Sequence, residues 1–177
     1  MQLSRKTLTA RWAWTTAAAI VVFVILNLLD SALKAKTGYG TVSLQGVGSG
    51  WGIRVIVDHW TSPPDATMAG FLLGLDFLFI PLYAAALFYG AMAAVDRFAA
   101  PGGRLARILT LLALAPVGAA ICDVIENVLQ IYMLTHASTD TMASFALEAT
   151  AAKWLGILIG VLLSLAALVG RIIKKRV

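Results

Sequence analysis

The sequence predicts an all-α fold, a membrane four-helix bundle, and three observations predict it. Of 177 residues, 60% are hydrophobic and 13% are charged, whereas soluble domains average roughly 45–50% apolar and about 25% charged. Uncharged runs occur at 12–29, 77–95, 108–122 and 154–170, each near the ~20 residues a span requires. Lys and Arg cluster at one end of these runs, the bias that orients spans in a bilayer. The mean hydropathy of +0.86 agrees. Together these features exclude a soluble enzyme, a disordered chain, a coiled coil and a nucleic-acid-binding domain. The net charge of +5 sits beside apolar runs, so it points to a membrane surface and not to nucleic acid as partner.

The first helix is expected over about 12–30. Arg5, Lys6 and Arg11 precede its apolar run of 18 residues. Signal-peptide cores are shorter, about 7–15 residues. The following 30–36 stretch holds no small-x-small cleavage site, so the helix reads as an uncleaved span. A 35-residue outer loop, 31–65, comes next, with glycines at 38, 40, 46, 48, 50 and 52. A loop of this length in a compact domain is functional or has structure of its own. Within it, 41–45 alternates like a short strand, and 51–60 fits a short helix on the outer membrane surface.

The second helix, about 66–96, starts after Ser62-Pro63-Pro64-Asp65, a Pro-rich helix start. The third covers about 104–135 and the fourth about 149–173. Pro81 and Pro116 each remove one backbone donor and are expected to kink their helices. The whole, 1–177, reads as a single transmembrane domain.

Ten of the fourteen basic residues fall on one side of this scheme: Arg5, Lys6, Arg11, Arg97, Arg104, Arg107, Arg171, Lys174, Lys175 and Arg176. Only Lys34, Lys36, Arg54 and Lys153 fall on the other. The positive-inside rule therefore predicts both termini in the cytoplasm. Trp51, Trp60 and Trp154 would mark the outer interface, Trp12 and Trp14 the inner one. Cys122 is the sole cysteine and reads as a small packing residue.

The informative feature is a polar layer. Asp30, Asp76, Asp123, Glu126 and Lys153 all interrupt the spans at a similar expected depth, in the outer half of the bilayer. Asn27 and Asn127 join them. Asp123 and Glu126 are three residues apart and Asp123 and Asn127 four, so all three share a helix face. Gln130 lies four beyond Glu126. Asp76, Ile80 and Tyr83 share a face of the second helix. Lys153 shares one with Gly156 and Gly160, a G-x-x-x-G spacing typical of helix contacts. An ionised carboxylate near mid-bilayer costs about 2.5–3.5 kcal/mol, so these groups require pairing, protonation, hydrogen bonds or water. The cluster is open to two readings, a structural latch and a ligand site.

Catalytic signals are absent. No nucleophile elbow, P-loop, H-x-x-x-H, C-x-x-C or E-x-x-H occurs, and no cofactor motif is present. His59 and His136, the only histidines, are weak metal candidates, both expected outside.

The chain resembles a group of small bacterial four-span integral membrane proteins of unassigned function. The resemblance rests on Gly38-Tyr39-Gly40-Thr41-Val42-Ser43-Leu44-Gln45 with Trp60, on Leu75-Asp76-Phe77-Leu78-Phe79 with Tyr83, and on Asp123-x-x-Glu126-Asn127. It covers about 38–135 and implies the bacterial inner membrane, without an activity. The leading expectation is a binding or accessory protein holding an amphipathic small molecule or lipid at Asp76, Asp123, Glu126 and Asn127. A proton- or cation-coupled transporter is the alternative, and an intramembrane lipid-modifying enzyme ranks below it. Homo-oligomer contacts are expected at Gly70/Gly74 or Gly156/Gly160.

Overall fold

The computed structural model describes residues 4–174, Lys174 by its backbone alone. Lys175 and Arg176 of the basic tail lie outside the described residues. Six α-helices and one 3-10 segment follow in order: α1 (Arg5–Thr37), the 3-10 segment (Thr41–Gly46), α2 (Gly50–Asp58), α3 (Pro63–Phe98), α4 (Arg104–Ala113), α5 (Ala115–Thr135) and α6 (Asp140–Lys174). No strand occurs among the described residues. Four helices, α1, α3, the α4–α5 pair and α6, are long and apolar enough to cross a membrane. They fit an integral membrane protein.

The spans form where expected, but their ends do not follow the charges. α1 runs past Asp30 to Thr37, and α6 begins at Asp140, nine residues before the expected 149. Capping sets these ends. Gly38 adopts φ +87° and its N–H returns to the Lys34 carbonyl at 2.8 Å, the glycine stop of a helix C-terminus. Thr139 Oγ1 accepts from the Met142 amide at 3.3 Å and so caps α6. Ser62 accepts from the Asp65 amide at 3.4 Å, its hydroxyl donates back to the Asp65 carboxylate, and Pro63 and Pro64 occupy the first turn of α3.

The expected strand at 41–45 is a 3-10 segment instead. Alternation over five residues is too short to fix a strand, and the backbone donors at its start find a carboxylate rather than a partner strand. The expected surface helix forms as α2, capped by Ser49, whose hydroxyl accepts from Gly52 N–H at 3.2 Å. Pro81 lies inside a continuous α3. Pro116 accompanies a true break: Leu114 separates α4 from α5, and its N–H bonds Leu111 O at 3.1 Å, three residues back.

The chain divides into two compact units, and the division falls within α1, α3, α5 and α6. One, the terminal unit, comprises Met1–Ala19, Pro81–Ala120 and Lys153–Val177; the other, the loop unit, comprises Ile20–Ile80 and Ile121–Ala152. In the loop unit an apolar core gathers Leu33, Leu44, Ile53, Ile56, Trp60, Ala69, Leu72, Met133, Ala143 and Ala146. The apolar turns beyond Asp76 and Glu126 are thus packed by the loop and not left to water.

In the terminal unit a second core joins Leu8, Ala93, Ala94 and Ala167, with Trp12 and Tyr89 against it. Small residues let its helices approach. A Cβ on Gly156 would stand 2.6 Å from Ala115 O, and one on Gly160 2.5 Å from Pro116 Cγ. Both glycines are therefore used within the chain, so this G-x-x-x-G face is filled internally. In the loop unit, Gly74 has nothing within 4 Å of its Cβ position, and Gly70 only Leu134 Cδ2 at 3.7 Å.

Gly156→Ala should destabilise the detergent-solubilised protein by about 1–3 kcal/mol through overpacking. Gly74→Ala should stabilise it by up to ~1 kcal/mol through helix propensity alone. Thermal unfolding followed by circular dichroism checks both signs.

Candidate functional site

α5 presents Asp123, Glu126, Asn127 and Gln130 on one buried face, each 3% exposed or less. Spacings of three and four residues bring these side chains into register. The Asn127 amide donates to Asp76 Oδ2 on α3 at 2.7 Å. The Gln130 amide donates to Glu126 Oε1 at 2.8 Å. The amide nitrogens thus serve as donors to carboxylates in apolar surroundings. Such hydrogen bonds contribute about 1.5–3 kcal/mol each, and their loss costs the desolvation of the group left behind. Asp123 is also engaged with neighbouring groups.

One helical turn beyond this layer on each helix, Leu72 of α3 and Met133 of α5 enter the apolar core beneath α2 and the 3-10 segment. At the level of the layer, Leu78 of α3 and Val124, Ile125 and Val128 of α5 are exposed, and Phe71 is exposed a turn beyond it on α3. The arrangement is a buried carboxylate–amide cluster, with a filled apolar layer on one side and open apolar helix faces around it.

Two other expected members, Tyr83 and Lys153, have interactions of their own. Tyr83 and Lys153 belong to the terminal unit, where both are buried. The Lys153 ammonium sits 5.9 Å from the centroid of the Trp154 ring. Asn27 is exposed and its amide donates to Phe23 O of its own helix at 2.8 Å. It does not join the cluster.

Asp30 serves the loop instead. Its Oδ1 accepts from the Thr41 amide, from Thr41 Oγ1 at 2.7 Å and from the Val42 amide at 3.4 Å. The carboxylate thereby satisfies the orphan donors at the start of the 3-10 segment. Gly40 leaves the space that the Asp30 carboxylate occupies at this junction, and a Cβ there would displace that carboxylate from the Thr41 amide.

Two further acids hold the loop in the same way, and sequence reasoning did not assign them. Asp65 is buried, pairs with Lys36 at 2.6 Å and accepts from Ser62. Asp140 Oδ1 accepts from the Gly50 amide at 2.8 Å. Ser144 donates to Gly48 O at 3.1 Å, and Trp60 Nε1 donates to Tyr39 O at 2.9 Å. The Ser62-x-x-Asp65 capping pattern was the one available signal for Asp65. Asp140 had none, since its partner is ninety residues away.

The two histidines are absorbed locally. His59 Nδ1 lies 2.7 Å from Val55 O, and its ring meets Tyr39 edge-on at 4.8 Å. His136 stacks on Tyr132 at 4.3 Å, and its Nδ1 contacts Thr135 Oγ1 at 2.8 Å. Among the described residues, no three His, Cys, Asp or Glu side chains converge in metal-binding geometry.

Asn127→Leu should destabilise the protein by about 2–3 kcal/mol, since it strips a donor from the Asp76 carboxylate. Asp30→Ala should leave the melting temperature of the spans near wild type but expose 38–49 to limited proteolysis. Asp30→Asn keeps an acceptor oxygen and should restore most of that protection. Mass mapping of the cleavage sites reads the result.

Comparison of the chain with protein-family models, with curated proteins and with solved structures gives no match.

Proposed function

We propose that the protein is an integral membrane binding protein of the bacterial cytoplasmic membrane, with both termini cytoplasmic. Its carboxylate–amide cluster would take the polar head of an amphipathic ligand drawn from the bilayer. The observation that carries this reading is the burial of Asp123, Glu126, Asn127 and Gln130 together, with the half-buried Asp76 bonded to them, inside two helices of span length. Ionisable groups inside spans are costly and mark functional sites by default.

The chemistry narrows the ligand class. Carboxylates accept hydrogen bonds and favour positive charge. Here two of their oxygens already bind side-chain amides. A head group that donates hydrogen bonds and carries positive charge, such as a primary amine, matches the chemistry of such a cluster. An acyl chain would lie on the open apolar faces at Phe71, Leu78, Val124 and Val128. The turns beyond the cluster are filled by the loop. The basic termini and the α3–α4 connection support the orientation by the positive-inside rule.

Native mass spectrometry of the full chain, released from nanodiscs of bacterial lipid, tests the reading. Wild type should retain an amine-bearing lipid or small amphiphile. Asp76→Asn/Glu126→Gln should lose it at least about tenfold, as expected for one charge-assisted hydrogen bond. Asp76→Asn alone is measured beside it, because it keeps an acceptor for Asn127 and so guards against misfolding. Equal retention by wild type and both variants, or no adduct on wild type, would overturn the reading and leave the cluster as a structural latch.

A further inference from the structure

The two units differ sharply in charge. The segments of the terminal unit hold eleven of the fourteen basic residues and one of the nine acids, Asp96. That acid is engaged by Arg5 at 2.9 Å. The remaining positive charge of the unit lacks an acidic counterpart within it.

Arginines also tie this unit together pairwise. Arg97 Nη2 donates to Gly170 O at 2.7 Å, joining α3 to α6. Arg171 Nη2 donates to Thr9 Oγ1 at 3.0 Å, and its guanidinium lies 5.1 Å from the centroid of Trp12, joining α6 to α1. Arg11 Nη1 reaches Tyr89 Oη at 3.5 Å, with its guanidinium 5.9 Å from that ring, joining α1 to α3. Thr9, Arg11 and Trp12 lie within a single turn of α1. Arg11 and Arg171 are therefore held at one level of the helix, each against an aromatic ring.

We propose that the terminal unit binds the phosphodiester of an anionic phospholipid, with Arg11 and Arg171 as its guanidinium ligands. A guanidinium presents several donors in a rigid fork that matches phosphate oxygens. The contacts above use one side of each fork. The cation–π contacts with Trp12 and Tyr89, with the hydrogen bonds to Thr9 and Tyr89, hold the forks before binding and lower the ordering cost that a free arginine would incur. The surroundings select a lipid over a soluble anion. Trp14, Leu168, Val169 and Ile172 of the same unit are exposed apolar side chains that would accept acyl chains. Trp12 and Tyr89 are residues of the kind that settle at headgroup depth.

The site differs from the carboxylate–amide cluster in residues, in unit and in ligand charge, so either can fail without the other. The test is native mass spectrometry of the full chain in a neutral detergent. Phosphatidylglycerol, phosphatidylcholine of matched chains, and inorganic phosphate are added separately. Wild type should prefer phosphatidylglycerol over phosphatidylcholine by about tenfold or more. Arg11→Gln/Arg171→Gln should weaken phosphatidylglycerol binding about thirtyfold, from the worth of two basic residues at a lipid surface. Arg104→Gln/Arg107→Gln removes the same charge from the same unit and should change binding less than about threefold. Arg11→Lys/Arg171→Lys keeps the charge without the fork and should give an intermediate loss, which separates recognition from folding.

Equal losses in the two Gln pairs would overturn the proposal in favour of diffuse charge. Equal binding of the two lipids would overturn it outright. Competition by millimolar inorganic phosphate would reduce it to a simple anion site.

Discussion

Asn127 donates to the half-buried Asp76, and Gln130 donates to the buried Glu126, from one buried face of α5. The rest of the loop unit is built around this constraint. A carboxylate inside a span must be matched by a donor from the protein itself. The chain places the donors on α5 at helical spacing, so one helix carries both acids and amides. The apolar core one turn beyond then shuts the layer off on that side, with Leu72 and Met133 among its most buried side chains. Loop, core and cluster are thereby consecutive layers of one unit.

Carboxylates divide between two tasks. Asp30, Asp65 and Asp140 bind backbone amides, a lysine and a serine at the loop. They act as staples: Asp30 and Asp140 hold glycine-containing stretches of the loop, and Asp65 ties the end of α1 to the start of α3. Asp76 and Glu126 meet side-chain amides within the helices. The same residue type thus serves as a backbone cap at the ends of helices and as a member of a side-chain network inside them.

How legible this was in the sequence follows from the range of each interaction. The four spans could be read because burial in lipid imposes a run of apolar residues, and a run is local. Charges do not mark their ends. Helices continue through Lys34 and Lys36 and through Glu148, and stop where Gly38 and Thr139 supply the cap. The buried face of α5 was readable from its three- and four-residue spacing. Asn27 was placed with the cluster by its distance along the chain from Asp30, yet its amide bonds its own helix. Asp30 itself turned to the loop because the nearest unsatisfied amides belong to Thr41 and Val42. No periodicity encodes either outcome. The segment at 41–45 alternates like a strand yet forms a 3-10 turn for the same reason: a carboxylate eleven residues earlier holds its first amide.

The two ties between α6 and the loop span nearly the whole of the intervening chain, from Gly50 to Asp140 and from Gly48 to Ser144. This fixes an order of events during synthesis. The loop emerges early, but the groups that lock it emerge only with the start of the last helix. Until then Leu44, Ile53, Ile56 and Trp60 have part of their eventual core, since Ala143 and Ala146 are not yet made. Closing so long a loop is entropically slow. The growing chain therefore passes through a stage in which three of the long helices exist and the apolar core one turn beyond the polar cluster is still incomplete.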